Sequence, residues 1–165
     1  MGFDVIGQFN IAARVVQAAK DQGVLIATAE SCTGGMIAAA LTGVAGSSAV
    51  FDRGFVTYSY PSKTEMLNVS KKTLNAFGAV SEQVAMEMAA GALQGSDADI
   101  SIAVTGVAGP GADRDKAEGL VWFGLATVNE VLTRQQHYGP IGRDNVRMAT
   151  VETGLQWLLD EISSR

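Results

Sequence analysis

Ala29-Glu30-Ser31-Cys32-Thr33-Gly34-Gly35 stands between the apolar run Val24-Leu25-Ile26-Ala27 and the small-residue run Met36-Ile37-Ala38-Ala39-Ala40-Leu41. The first run reads as a buried strand over 24–28, and the segment after the turn as a helix over 33–41 ending near Gly43. A strand that turns tightly into a helix aims backbone N–H groups and the positive end of the helix dipole at one spot beyond the strand. That spot suits a developing oxyanion or a bound anion, and nucleophiles are often mounted there.

Upstream, Val5, Ile6, Phe9, Ile11, Ala12, Val15, Val16 and Ala19 recur at helical spacing, with Gly23 where a C-terminal cap belongs. Downstream, Phe55, Val56, Thr57 and Tyr58 favour a strand over 52–59, and Pro61 suits the first turn of a short helix over 61–67. Ser81 and Glu82 open an amphipathic helix that stops at Gly95. A strand over 99–105 breaks into Gly106-Val107-Ala108-Gly109-Pro110-Gly111. The segments 120–128 and 131–138, separated by Asn129-Glu130, have the form of an antiparallel hairpin, and a helix over about 143–161 closes the chain. Helices interleave with strands before the hairpin, which predicts an α/β fold: a mixed β-sheet covered by helices on both faces, in three layers and one domain. Ligands in such sheets gather at the carboxyl ends of strands, where both glycine-rich turns lie.

Composition narrows the function. The 165 residues are 47% apolar and 18% charged, with no apolar stretch long enough to span a membrane and no export signal at residues 1–4, so the expected compartment is the cytoplasm. Twelve basic residues, scattered among seventeen acidic ones, argue against nucleic acid as a partner. A single cysteine, Cys32, and a single histidine, His137, cannot make an internal disulfide or a cysteine/histidine zinc cluster. Any serine or cysteine hydrolase built from this chain must use His137 or another base, which turns attention to lysine and tyrosine.

Ser31 and Cys32 compete as nucleophile: the thiol needs a depressed pKa, the hydroxyl needs a base. The alternative is that Ser31 or Thr33 caps the helix and Cys32 fills the core, with Glu30 a capping or surface carboxylate. Lys63 could take the Ser31 proton if burial or positive neighbours lowered its pKa, with Tyr58 beside it; on spacing alone, a solvated Lys63 and a packed Tyr58 are the ordinary readings. The loop from Thr105 through Gly106 and Gly109 can bring its backbone close to a ligand, or simply connect. Arg143 and Arg147, four apart, share one helix face and could clamp a phosphate or lie in solvent.

Four ordered segments carry a resemblance: Ala29 to Gly35; Gly46-Ser47-Ser48; Arg53-Gly54-Phe55-Val56-Thr57-Tyr58-Ser59 with Lys63; and Thr105-Gly106-Val107-Ala108-Gly109-Pro110. Together they resemble the CinA C-terminal domain family over nearly the whole chain, here with about 23 residues before the first strand, as in stand-alone members, and with Ala112 where the family has a further glycine. The family includes amidohydrolases that convert nicotinamide mononucleotide and water to nicotinate mononucleotide and ammonia. The resemblance implies Ser31 as nucleophile, Lys63 as its base and Tyr58 as proton relay or orienting group. It further implies oxyanion donors around Thr33, Gly34 and Gly35, and a pocket lined by Thr105 and the loop after it. No metal or organic cofactor is implied; the expected partners are a small nucleotide substrate and further copies of the chain in a homo-oligomer. The competing expectation is a nucleotide-binding or regulatory module without chemistry.

Overall fold

The structure, a computed structural model, describes the backbone of residues 5–165 and side chains from residue 10. The side chains of Val5, Ile6 and Phe9, and the start at residues 1–4, lie outside the described residues. In chain order the elements are α1 (Val5–Gln22), β1 (Ile26–Glu30), α2 (Met36–Thr42), β2 (Phe51–Val56), α3 (Tyr60–Leu67) and α4 (Lys71–Phe77). There follow α5 (Glu82–Gln94), β3 (Ile100–Gly106), β4 (Leu120–Thr127), β5 (Val131–His137) and α6 (Arg143–Ser163).

The strands form one sheet in the order β2-β1-β3-β4-β5. β1 pairs in parallel with β2 and β3, and β3, β4 and β5 pair antiparallel. The central strands β1 and β3 are buried almost throughout, as their near-continuous apolar sequences require. On one face, Ala12, Val15, Val16 and Ala19 of α1 join α2 and α6 over the sheet in a core that contains Phe123, Leu155 and Leu158. The opposite face is covered by α3, α4 and α5 through Leu67, Leu74, Val84, Met88 and Ala92. These are the three layers anticipated from the interleaved pattern.

Several boundaries differ from the sequence expectation. β1 begins and ends two residues late, so Glu30 belongs to the strand rather than to the turn, and α2 starts only at Met36. Gly34 and Gly35 explain the delay: both have positive φ, 59° and 99°, which is incompatible with the helix that 33–41 predicted. β2 stops at Val56, not at residue 59, because Ser59 already caps α3 in a reciprocal capping box with Ser62. α4 has no counterpart in the sequence reading; it buries only Leu74, too little periodicity to announce a helix.

The chain leaves β1 through α2 to β2 on one side and returns over the opposite face to β3 on the other. The carboxyl end of β1 is therefore the switch point at which such sheets open a crevice. Two bonds beyond the regular ladder pin it: the Ser31 N–H donates to Val104 O at 3.0 Å, and the Thr57 N–H to Glu30 O at 2.9 Å.

Candidate active site

The sequence gives α3 a helical face on which Lys63 and Leu67, four residues apart, both turn inward, and they are the buried residues of that helix. Lys63 is 1% exposed, whereas Tyr58 is 64% exposed, the reverse of the ordinary reading of the two side chains. Lys63 Nζ donates to Ser31 Oγ at 2.9 Å and to Thr57 O at 2.7 Å, with Tyr58 O at 3.5 Å. No carboxylate pairs with it among the described residues. Burial therefore lowers its pKa to about 8, only weakly opposed by Cys32.

Cys32, the rival nucleophile, sits in the core, and burial pushes its thiol up to about 12. A thiol so far from ionisation is a poor nucleophile. The core-filling reading of Cys32 thus describes its place, but the capping reading of Ser31 and Thr33 does not. Gly35 occupies the N-cap position of α2 and offers no side chain. The capping role falls to Glu30, 1% exposed, whose carboxylate accepts from Thr33 Oγ1 at 2.7 Å, Ile37 N at 2.8 Å and Ala38 N at 3.0 Å. Glu30 makes no ion pair among the described residues, and the amides and the helix dipole are what make a buried carboxylate tolerable there. Glu30 thereby fills the anion position that the turn sequence had suggested for a ligand.

The turn is held from both sides. The Gly34 N–H donates to Ser31 O and the Met36 N–H to Thr33 O. Arg147 reaches over from α6 and donates to Cys32 O at 3.1 Å and Thr33 O at 3.3 Å. Arg147 therefore fastens the turn, and the shared helix face does not deliver both arginines to one anion. Arg143 donates to Gly109 O at 2.7 Å and to Tyr58 Oη at 3.0 Å, tying the loop after β3 to the loop after β2. Tyr58 thus meets Lys63 through its carbonyl, while its hydroxyl is engaged with Arg143.

Ser31, Lys63, Tyr58, Thr105, Gly106 and Arg143 line one cavity of about 190 Å3, closed further by Tyr60, Val80 and Asp113. Thr105 donates its hydroxyl to Ala79 O at 2.8 Å and so anchors the 78–81 loop rather than offering itself to a ligand. At Gly106 a Cβ would stand 2.6 Å from Val121 Cγ2, so glycine is needed for packing. Gly109 has φ 87° and lies against Glu118, whose carboxylate accepts the Gly111 N–H at 2.6 Å. Sequence reasoning missed Thr57 and Asp113. The first acts through its carbonyl, which no residue type signals; the second sits in a charged loop.

No helix among the described residues is long and apolar enough to cross a membrane. The chain is 48% identical over 154 residues to the nicotinamide-nucleotide amidohydrolase PncC of Enterobacter agglomerans, covering 92% of this chain and 93% of that protein. It is 46% identical over 151 residues to the protein of that name from Escherichia coli strain K12, covering 90% and 91%. The crystal structure of the competence/damage inducible protein CihA from Agrobacterium tumefaciens superposes with a TM-score of 0.92 at 48% identity, over 97% of this chain and 98% of that one. The model of the CinA C-terminal domain matches residues 8–162, the whole three-layer unit that carries Ser31 and Lys63, and the chain belongs to that family.

Proposed function

We propose that this chain is a nicotinamide-nucleotide amidohydrolase that uses Ser31 as nucleophile and Lys63 as base. The observation that carries the reading is the 2.9 Å contact between Lys63 Nζ and Ser31 Oγ, in a setting that holds the lysine pKa near 8. A neutral amine at that distance can accept the hydroxyl proton as Ser31 Oγ attacks the carboxamide carbon. The oxyanion then needs N–H donors. Those of Thr33 and Gly35, and that of Cys32 in the wall of the Ser31 cavity, meet no oxygen acceptor among the described residues and can supply them.

Collapse of the adduct breaks the C–N bond, and the Lys63 ammonium returns the proton to the departing nitrogen, releasing ammonia. Water, deprotonated by the again neutral lysine, attacks the acyl ester; Ser31 recovers its proton and nicotinate mononucleotide leaves. In this reading Arg143 and Tyr58 hold the mouth of the site, Thr105 and Gly106 shape its wall, and Gly109 holds Arg143 through its carbonyl. The protein works in pyridine-nucleotide recycling in the cytoplasm, as a homo-oligomer; exposed Val56, Phe77 and Ile141 supply apolar surface for self-association.

The test is ammonia release from a panel of pyridine nucleotides and simple carboxamides. Turnover of nicotinamide mononucleotide, abolished in a folded Ser31→Ala protein, is the expected result. Tight binding of the nucleotide with no ammonia released would replace the enzyme by a binding module.

A further inference from the structure

A cavity of about 190 Å3 is smaller than the roughly 300–1,000 Å3 that sites for ligands of nucleotide size occupy. It accepts a pyridine carboxamide but leaves a sugar phosphate outside. A second cavity of about 420 Å3 adjoins it, sharing Tyr60, Ala79, Val80 and Asp113. One wall is the 75–83 segment; the other is the tight turn Asp113-Arg114-Asp115-Lys116, closed by reciprocal backbone bonds between Asp113 and Lys116.

Arg114 has φ 53°, a left-handed conformation that turns normally fill with glycine or asparagine. Turn chemistry alone does not explain an arginine there. Its guanidinium makes no hydrogen bond or ion pair with any described residue, and Lys116 has only Asp115 at 3.9 Å, an acid whose side chain is itself 82% exposed to water. The other acids of the cavity are placed differently. Glu82 accepts from Thr133 Oγ1 at 2.6 Å, and Asp113 stands at the junction with the Ser31 cavity.

We propose that the second cavity is the subsite for the ribose 5-phosphate half of the substrate, with Arg114 and Lys116 on the phosphate and Asp113 accepting from ribose hydroxyls. The inference rests on the nucleotide reading above. A phosphate dianion is matched by two cations that lack strong partners, and a hydroxyl pair by a carboxylate between the two cavities.

The experiment compares wild type with Arg114→Gly/Lys116→Ala, in which glycine also eases the turn, using nicotinamide mononucleotide as substrate and ribose 5-phosphate as competitor. The expected result is that ribose 5-phosphate competes with the substrate and ribose does not. In the double variant KM and the inhibition constant both rise about ten-fold or more with kcat within a factor of two, and Arg114→Lys/Lys116→Ala recovers part of the loss. Unchanged KM and inhibition constant in the variant, or no competition in wild type, overturn the subsite. Failure of wild type to release ammonia from the mononucleotide would instead refute the proposed activity, and direct titration of both proteins with ribose 5-phosphate then decides the subsite alone.

Discussion

Lys63 Nζ approaches Ser31 Oγ to 2.9 Å although the two residues come from different parts of the fold, one from a face of α3 and the other from the turn that follows β1. The pair exists because the Ser31 and Thr57 amides extend the sheet's hydrogen bonding by one residue on adjacent strands. In the proposed mechanism, removing either partner deletes a group used in the transition state. Ser31→Ala and Lys63→Met are each expected to lower kcat for ammonia release by at least about a hundred-fold. The double variant should fall no further than the worse single one, because the two groups act as a unit. Losses that multiply would show that they work independently.

The lysine must be neutral to act as a base. With its pKa lowered to about 8 by burial, about one molecule in ten is competent at pH 7. The logarithm of kcat/KM should therefore rise with unit slope below pH 8 and level off above it. The same shift has a consequence for stability. Between pH 8 and the unperturbed value of 10.5 the unfolded chain binds more protons than the folded one, so stability rises with pH in that window. Relative to Lys63→Met, wild type should gain on the order of 3 kcal/mol across it. Denaturant titrations of both proteins at pH 7.5 and 10.5 measure the difference, and a gap that does not move would contradict the burial argument.

The layers, and the place of the Ser31 cavity at the carboxyl ends of β1 and β3, were legible in the sequence because both rest on strong local signals: apolar runs for the two strands, and glycine turns at their ends. The chemistry inside the site was less so. Whether Lys63 is buried depends on α5 packing over α3, a tertiary fact; the only local hint is its spacing from Leu67. Arg143 and Arg147 share a helix face, yet Arg143 meets the Tyr58 hydroxyl and the Gly109 carbonyl while Arg147 meets the Cys32 and Thr33 carbonyls, because loops far apart in sequence converge on that face. Glu30 looked like a cap, and it is one, but from the strand before the turn rather than from the turn itself.

Glu30 gives a prediction of its own. Glu30→Gln keeps one acceptor oxygen and sets an amide N–H2 against donors that need an acceptor, leaving a buried group unsatisfied at a cost of about 1–3 kcal/mol. For a chain of this length that lowers Tm by roughly 2–12 °C. Because Thr33 and the start of α2 both hang from this carboxylate, the turn behind Ser31 shifts, and kcat should drop more than KM changes. Calorimetry with kinetics on the same sample checks both; a fully active variant would mean the turn holds its shape without Glu30.

Tyr58 separates two roles by a simple substitution. Its carbonyl, 3.5 Å from Lys63 Nζ, survives in Tyr58→Phe, whereas the hydroxyl that accepts from Arg143 is lost. If the side chain orients the mouth of the site through Arg143, kcat should fall less than ten-fold with a larger rise in KM. A fall in kcat matching that of Lys63→Met would make the hydroxyl a proton relay.

Gly91 connects packing to chemistry at a distance from the site. A Cβ at this position of α5 would overlap the Leu67 carbonyl oxygen, at the end of the helix that carries Lys63. In an isolated helix Gly→Ala stabilises by about 1 kcal/mol, so propensity favours the substitution. Here the obstacle is backbone, which cannot rotate away as a side chain can, and overpacking of this kind costs about 1–3 kcal/mol or more. Gly91→Ala is therefore expected to be net destabilising in urea and to push α3 away from the sheet. Since α3 sets the reach of Lys63 to Ser31, activity per folded molecule should fall as well, and Gly91→Ala combined with Lys63→Met should be no less active than Lys63→Met alone. A stabilised, fully active Gly91→Ala protein would show that α3 and α5 can part without moving the lysine.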